Sequence, residues 1–291
     1  MIRFPDSELP INGDGSAFHL HLKPGQLADK VILVGDPARV DSFAARFDRV
    51  EFTVRNREFC TATGSFGGKR ISVVSTGIGT DNIDIVLNEL DSLVNIDYAT
   101  RCEKPVHTTL TIVRVGTCGA LHEDLPTGTF LISEKSVGTD GMLNYYAGRN
   151  EVCDKEFETE FCRQTGYLDL WARPYVVSSC PELVERFSRE LDGARTGVTV
   201  TANGFYGPQG RQLRGALAHP GFNEKLRAFR YGRFRITNFE MESAGVEGMA
   251  ALLGHQAVTV CLVVANRYSK DMLTDYHSRM ELLIDKTLQI I

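Results

Sequence analysis

Lys30-Val31-Ile32-Leu33-Val34-Gly35-Asp36-Pro37-Ala38-Arg39-Val40 reads, in one pass, as strand, turn and helix. The apolar run 30–34 is short enough for a buried parallel strand. Gly35-Asp36-Pro37 stops it, and a proline in its favoured first-turn position opens an amphipathic helix. Such an arrangement points free backbone N–H groups at an anion. The unit then recurs. Residues 69–75 make a second strand and Thr76-Gly77-Ile78-Gly79-Thr80 a glycine turn. A helix over 81–94 follows, carrying Ile83, Val86, Leu87, Leu90 and Leu93 on one face.

Working outward, strands are expected over 110–119, 129–133, 196–202 and 257–265, and helices over 181–191, 244–253 and 274–291. Phe18-His19-Leu20-His21-Leu22 alternates as a short strand would, and Arg57-Glu58-Phe59 falls in an irregular stretch. Residues 138–171 read as excursions from the sheet with helical patches, and 212–236 as a basic, mobile segment. Residues 1–17, polar and without a period, are expected to be a partly mobile arm in front of a folded unit over 18–291. There is no repeat, low-complexity tract or linker wide enough to divide the chain, so the alternation of strands and helices gives one α/β domain. Ligands in such sheets bind outside the carboxyl ends of the strands. Gly35, Thr76-Gly77, Arg114 to Thr117, Phe205 and Asn266-Arg267 all lie at such ends.

Composition narrows the function. A net charge of -5 and a pI near 5.8 argue against a general nucleic-acid binder. No run of about 18 apolar residues occurs, and Met1-Ile2-Arg3-Phe4-Pro5-Asp6 lacks the apolar stretch of an export signal. A cytoplasmic protein without a membrane partner is the expectation. The seven cysteines are an odd number with no C-x-x-C pair, so reduced thiols are expected rather than a disulfide framework. No H-E-x-x-H spacing occurs among the seven histidines, and no transition metal is expected.

Three features carry chemistry. Arg114 sits inside the apolar strand Leu110 to Val115, where an unpaired guanidinium would cost several kcal/mol. It must either pair with a protein carboxylate or face a pocket that receives an anion; the turn Gly116-Thr117-Cys118-Gly119 behind it offers N–H groups and a hydroxyl. Asn238-Phe239-Glu240-Met241-Glu242-Ser243 places two carboxylates at the start of the helix over 244–253. Residues i and i+2 point about 200° apart on a helix, so Glu240 and Glu242 share a pocket only if the first lies in the entry turn. Finally, Asn203-Gly204-Phe205-Tyr206-Gly207-Pro208-Gln209-Gly210-Arg211 combines an aromatic face, an amide and a guanidinium, the set that holding a planar heterocycle requires.

Taken together, these pieces resemble the nucleoside phosphorylase family, and within it the uridine phosphorylase branch. The resemblance spans about residues 18 to 267. It is carried by Phe18-His19-Leu20, Gly35-Asp36-Pro37-Ala38-Arg39-Val40, Arg57-Glu58-Phe59 and Ser75-Thr76-Gly77-Ile78-Gly79. Arg114-Val115-Gly116-Thr117, Phe205-Tyr206 with Gln209 and Arg211, and Glu240-Met241-Glu242-Ser243 complete it. The family fold it implies is a central mixed sheet partly closed as a barrel and flanked by helices. The activity it implies is phosphorolysis of uridine to uracil and ribose 1-phosphate, a pentosyl transfer. By the same resemblance Gly35, Arg39, Arg114 and Thr117 would bind phosphate, with Arg57 reaching in from a neighbouring subunit. Met241 and Glu242, with Glu240 and Thr117 nearby, would hold the ribose, and His19 would cross from the neighbour to its 5′-hydroxyl. Phe205 would stack on the base beside Cys118 and Gly119, while Gln209 and Arg211 would bond its polar edge. Arg114, Gln209, Arg211 and Glu242 are the residues expected to carry catalysis, in a homo-oligomer built from dimers that share active sites.

The pattern has departures. Cys118 stands where many relatives carry a second hydroxyl residue, and Phe239 where some carry a tyrosine. Some bacterial relatives bind an intersubunit potassium ion; Glu58 and Ile78 match that site, but Asn82 replaces its serine, so no cofactor beyond the co-substrate phosphate is expected. Purine-preferring relatives place an aspartate near the end of the last strand, where this chain has Asn266-Arg267, a difference that favours a pyrimidine. Competing readings are a broader or purine nucleoside phosphorylase, a nucleosidase using water, and a non-catalytic nucleoside-binding protein. A nicotinamide-dependent enzyme is disfavoured because no G-x-G-x-x-G follows the first strand.

Overall fold

The computed structural model describes residues 3–291. Strand β1 (Lys30–Val34) leads into helix α1 (Pro37–Ala44), then strands β2 (Arg49–Asn56), β3 (Phe59–Phe66) and β4 (Lys69–Ser75), and helix α2 (Thr80–Asn95). The short β5 (Ile96–Asp97) and β6 (Cys102–Glu103) precede β7 (Thr111–Ala120) and β8 (Phe130–Gly138). Next come α3 (Arg149–Val152), α4 (Lys155–Thr165), β9 (Tyr175–Ser178), α5 (Pro181–Glu190) and β10 (Arg195–Thr201). The chain ends with α6 (Phe222–Ala228), β11 (Ile236–Glu240), α7 (Ser243–Leu252), β12 (Gln256–Asn266) and α8 (His277–Ile290).

Local chemistry explains the first unit. Asp36 caps α1 by accepting from the Ala38 N–H at 2.9 Å, and Pro37 supplies a preset φ where no N–H is needed. The whole apolar face read for α2 is buried, at about 1.5–3 kcal/mol per large side chain. Its residues join Val31, Leu33, Ile112 and the inner face of α7 in one core layer. The opposite face of the sheet carries Ile32, Val34, Val113 and Val115 against α1, α5 and α8. A third layer, Phe157, Phe161, Phe222, Leu226 and Phe229, packs outside β10 and β11.

The sheet is mixed and partly closed, flanked by helices. Its order is β11-β10-β8-β12-β7-β1-β4-β3-β2, with β9 on β8 and a further pairing of β11 with β7. That last pairing completes a ring β7-β12-β8-β10-β11. It consists of Asn238 opposite Ala120 and Phe239 opposite Gly119, at the far end of β7 only. The barrel therefore closes where the parallel strands β1, β4, β7 and β12 end, and closure delivers Glu240 to the strand that carries Arg114.

Several elements differ from the sequence reading. Residues 18–22 form a turn, because His21 takes φ 53° and its N–H bonds back to the Ala17 carbonyl. The stretch around Arg57 is not irregular but the two-residue turn of the β2–β3 hairpin, with Asn56 opposite Phe59. Residues 212–236 contain α6, whose Phe222 and Leu226 are core side chains. The described part of the expected N-terminal arm is tied down: Phe4 N–H donates to the Arg101 carbonyl at 2.8 Å, and Leu9 is buried. All seven cysteines are free. Among the described residues no helix is long and apolar enough to cross a membrane.

Candidate active site

At the carboxyl ends of these strands lies a cavity of about 730 Å³. The β1–α1 turn contributes Gly35 and Arg39, and β7 contributes Arg114, Thr117, Cys118 and Gly119. Phe205, Gln209 and Arg211 enter from the loop after β10, and Glu240, Met241 and Glu242 from the β11–α7 junction. The structure thus brings together most of the residues singled out from sequence. His19 and Arg57 do not line the cavity of their own chain.

Its floor is a buried charge cluster. The Arg114 guanidinium, 4% exposed, bonds Glu242 Oε2 through Nη2 and lies 3.2 Å from Glu240 Oε2 through Nη1. Of the sequence alternatives for Arg114, pairing with protein carboxylates is the one observed, and the paired guanidinium also lines the cavity. Burial alone would depress its pKa, but the charges of Glu242 and Glu240 outweigh that and hold it above its usual range. Glu242 is pushed up by burial, against the opposing pull of Arg114. Its Oε1 accepts the Gly79 N–H at 2.8 Å. Arg114 Nε is buried and has no partner among the described residues, a donor left free at a cost of about 1–3 kcal/mol.

The two glutamates reach one place by different routes. Glu240 ends β11 and Glu242 occupies the N-cap position of α7 without a capping bond from its own side chain. Glu240 Oε2 accepts the N–H groups of Glu242 and Ser243 at 2.7 and 2.8 Å, satisfying first-turn donors of α7. Thr201 locks the joint: its hydroxyl donates to Glu240 Oε1 at 2.5 Å and accepts the Ala244 N–H at 2.9 Å. Gly116 has a steric duty, since a Cβ there would lie 2.3 Å from Arg114 Nη1.

Beside Arg114 stands a second cation. Arg39 Nη1 donates to the Val115 carbonyl at 3.2 Å. Burial, and then the like charge of Arg114, hold Arg39 below its usual range. A negative charge placed between the two would offset both the burial and the mutual repulsion.

The opposite end is aromatic and polar. Arg211 stacks on Phe205 with its guanidinium carbon 3.8 Å from the ring centroid, and donates to Gln209 Oε1 at 2.6 Å. Burial, and then Arg267, push Arg211 down to about 10. Gln209 is buried, and its backbone carbonyl accepts from Arg267 Nη2 at 3.1 Å. Burial raises the Cys118 thiol well above its usual range, so it stays neutral. Asn266, expected near the base, lies elsewhere. Its amide donates to the carbonyls of His122 and Leu125 and accepts from the N–H groups of Tyr268 and Ser269, all within 2.8–3.1 Å.

The two outlying residues differ in how they are held. Arg57 is exposed at the hairpin tip with φ 54°, a left-handed conformation costing a non-glycine residue about 1–3 kcal/mol. His19 is anchored by Glu89 through its backbone N–H at 2.9 Å and its Nδ1 at 2.6 Å. Near the mouth, Asn82 Nδ2 donates to Glu58 Oε1 at 3.3 Å, and Ile78 is 72% exposed. Gly79, Thr201, Glu89 and Cys261, whose sulfur accepts from Arg114 Nη1 at 3.6 Å, were given no site role from the sequence. Each acts through a bond to a residue distant in the chain, and no local pattern marks such a bond.

Comparison with known proteins identifies the family. The model of the Phosphorylase superfamily matches residues 29–289. A uridine phosphorylase of Thermococcus kodakarensis is 29% identical over 275 residues, covering 92% of this chain and 84% of that protein. A DeoD-type purine nucleoside phosphorylase of a Geobacillus species is 28% identical over 250 residues, 85% of each chain. Among solved structures, a Trypanosoma brucei nucleoside phosphorylase described as showing uridine phosphorylase activity superposes with a TM-score of 0.86. It is 30% identical, and the match covers 97% of this chain and 99% of that one.

Proposed function

The chain belongs to the phosphorylase superfamily, and from that premise we propose that this nucleoside phosphorylase is a uridine phosphorylase. It would convert uridine and phosphate reversibly to uracil and ribose 1-phosphate, in the cytoplasm. One observation carries the choice of base. The loop after β10 presents the Phe205 ring, the Gln209 amide and the Arg211 guanidinium to the cavity and contributes no carboxyl group to its lining. A purine leaving group is helped by an acid that protonates it, whereas uracil leaves as an anion and needs only donors. Arg211, tied to Gln209 and stacked on Phe205, supplies them, for about 3–4 kcal/mol of stabilisation once the bound base excludes water.

In this mechanism phosphate occupies the Gly35, Arg39, Arg114 and Thr117 end, with Arg57 of a second copy closing over it. Glu242 and Met241 hold the ribose, and Glu242 also faces the oxocarbenium-like carbon that develops as the glycosidic bond stretches. Phosphate then acts as nucleophile and as counter-charge. Potassium is left out of the scheme because Asn82 stands at the position of the relatives' serine ligand, its amide donating to Glu58 Oε1 at 3.3 Å. Phosphate rather than water is the expected acceptor, since Arg39 and Arg114 form a dedicated anion end.

The deciding experiment follows uridine cleavage by absorbance with and without phosphate, with inosine alongside. Phosphate-dependent loss of uridine, with inosine untouched, is expected. Equal cleavage of inosine would overturn the base assignment in favour of a broader enzyme, and cleavage without phosphate would overturn the anion site. Binding of both substrates without turnover would leave a nucleoside-binding protein.

A further inference from the structure

Helix α2 carries a carboxylate that the mechanism above does not use. Glu89 serves three N–H donors of one segment: the backbone N–H of His19 at 2.9 Å, that of Leu20 at 2.8 Å, and His19 Nδ1 at 2.6 Å. The segment is fixed from other sides too. Asn56, at the end of β2, donates to the His19 carbonyl at 2.7 Å. The imidazole meets Phe18 edge-on at 4.8 Å between centroids and Phe59 at 6.3 Å. Yet the ring keeps 25% of its side-chain surface open, and Nε2 has no partner among the described residues.

A carboxylate accepts and does not donate, so Nδ1 carries the proton in this bond. In the neutral ring the exposed Nε2 is then a bare lone pair. So rigid a mount, on an imidazole outside its own chain's cavity, makes an acceptor pointed at something else. We propose that Glu89 is a positioning residue which fixes the His19 tautomer, so that Nε2 accepts the 5′-hydroxyl of a nucleoside bound by a second copy. This rests on the shared-site reading given above. The chemistry selects a hydroxyl, which can donate, over a 5′-deoxy or 5′-phosphorylated sugar, which cannot.

The test compares uridine with 5′-deoxyuridine in wild type, Glu89→Gln, His19→Ala and the double variant, with the His19 ring nitrogens read by ¹⁵N NMR. An amide offers one oxygen to donors that the carboxylate serves with two. Wild type should show Nε2 unprotonated and prefer uridine. Glu89→Gln should lose that tautomer signature and about tenfold in kcat/KM on uridine, the worth of one hydrogen bond, with 5′-deoxyuridine unaffected. Adding it to His19→Ala should change nothing further. Equal losses on both substrates, or an unchanged tautomer in Glu89→Gln, would overturn the positioning role. A His19→Ala enzyme that keeps the full preference for uridine would instead sink the shared-site reading, and the proposal with it. Thermal unfolding of each variant separates these outcomes from a fold that has simply loosened.

Discussion

At the scale of the residue, the site turns on how a charged side chain is stored in an apolar strand. Arg114 was legible because a guanidinium between Val113 and Val115 has to be explained. What the sequence does not reveal is the room it needs. Arg114 folds back over Gly116, so Gly116→Ala should leave the strand ladder intact while driving Nη1 off its carboxylates. A loss of about 100-fold in kcat/KM is expected, comparable to removing one preorganised charge contact. Steady-state kinetics with a circular dichroism check of the fold would measure it, and near-normal turnover would mean that the guanidinium position is not critical. Gly79 and Thr201 escaped the sequence reading for the converse reason. An N–H or a hydroxyl aimed at a distant carboxylate leaves no mark in its own neighbourhood.

Among the elements, strands β1, β7 and β12 were readable as unbroken apolar runs, and α2 from its one-sided period. The β2–β3 hairpin, β9 and β11 were not. They are short or mixed in polarity, and their pairing partners rather than their composition make them strands. Residues 18–22 showed the reverse error, an alternation that a single positive φ at His21 cancels. Helix α7 hides a different surprise. Glu247, 1% exposed in a mostly apolar helix, makes no well-formed hydrogen bond among the described residues, although the hydroxyls of Ser136, Ser179 and Thr259 lie near it. Burial pushes its pKa from 4.5 up to about 8, with the hydroxyls of Ser136, Ser179 and Thr259 offsetting only part. The folded chain therefore holds this proton more tightly than the unfolded chain. The contribution to stability is complete below the unfolded value near 4.5 and is lost as pH rises toward 8, at about 1.4 kcal/mol per unit. Glu247→Gln should match wild type in denaturant unfolding at pH 4 and exceed it by a few kcal/mol at pH 8. Parallel curves for the two proteins across that range would rule out the buried neutral acid.

For the whole molecule, alternating elements announced an α/β sheet, but not the ring that closes it. Closure depends on two residue pairs between β11 and β7, a long-range fact with no local signature. The same holds for assembly. His19 and Arg57 lie outside their own cavity, so the proposed site is whole only when two copies meet. Mixing an Arg57→Ala chain with a Glu242→Gln chain should then restore roughly a quarter of wild-type activity, because half of the randomly formed dimers carry one intact site of two. Two inactive proteins that stay inactive after dissociation and reassociation would argue for self-contained sites. A last consequence concerns redesign. The resemblance noted for purine-preferring relatives makes Asn266→Asp, a single base change, the obvious step to try. The Asn266 amide, however, braces two carbonyls with its donors. A carboxylate there would meet them with repulsion and gain no view of the base. If the proposed uridine reading holds, Asn266→Asp by itself would not open the site to purines.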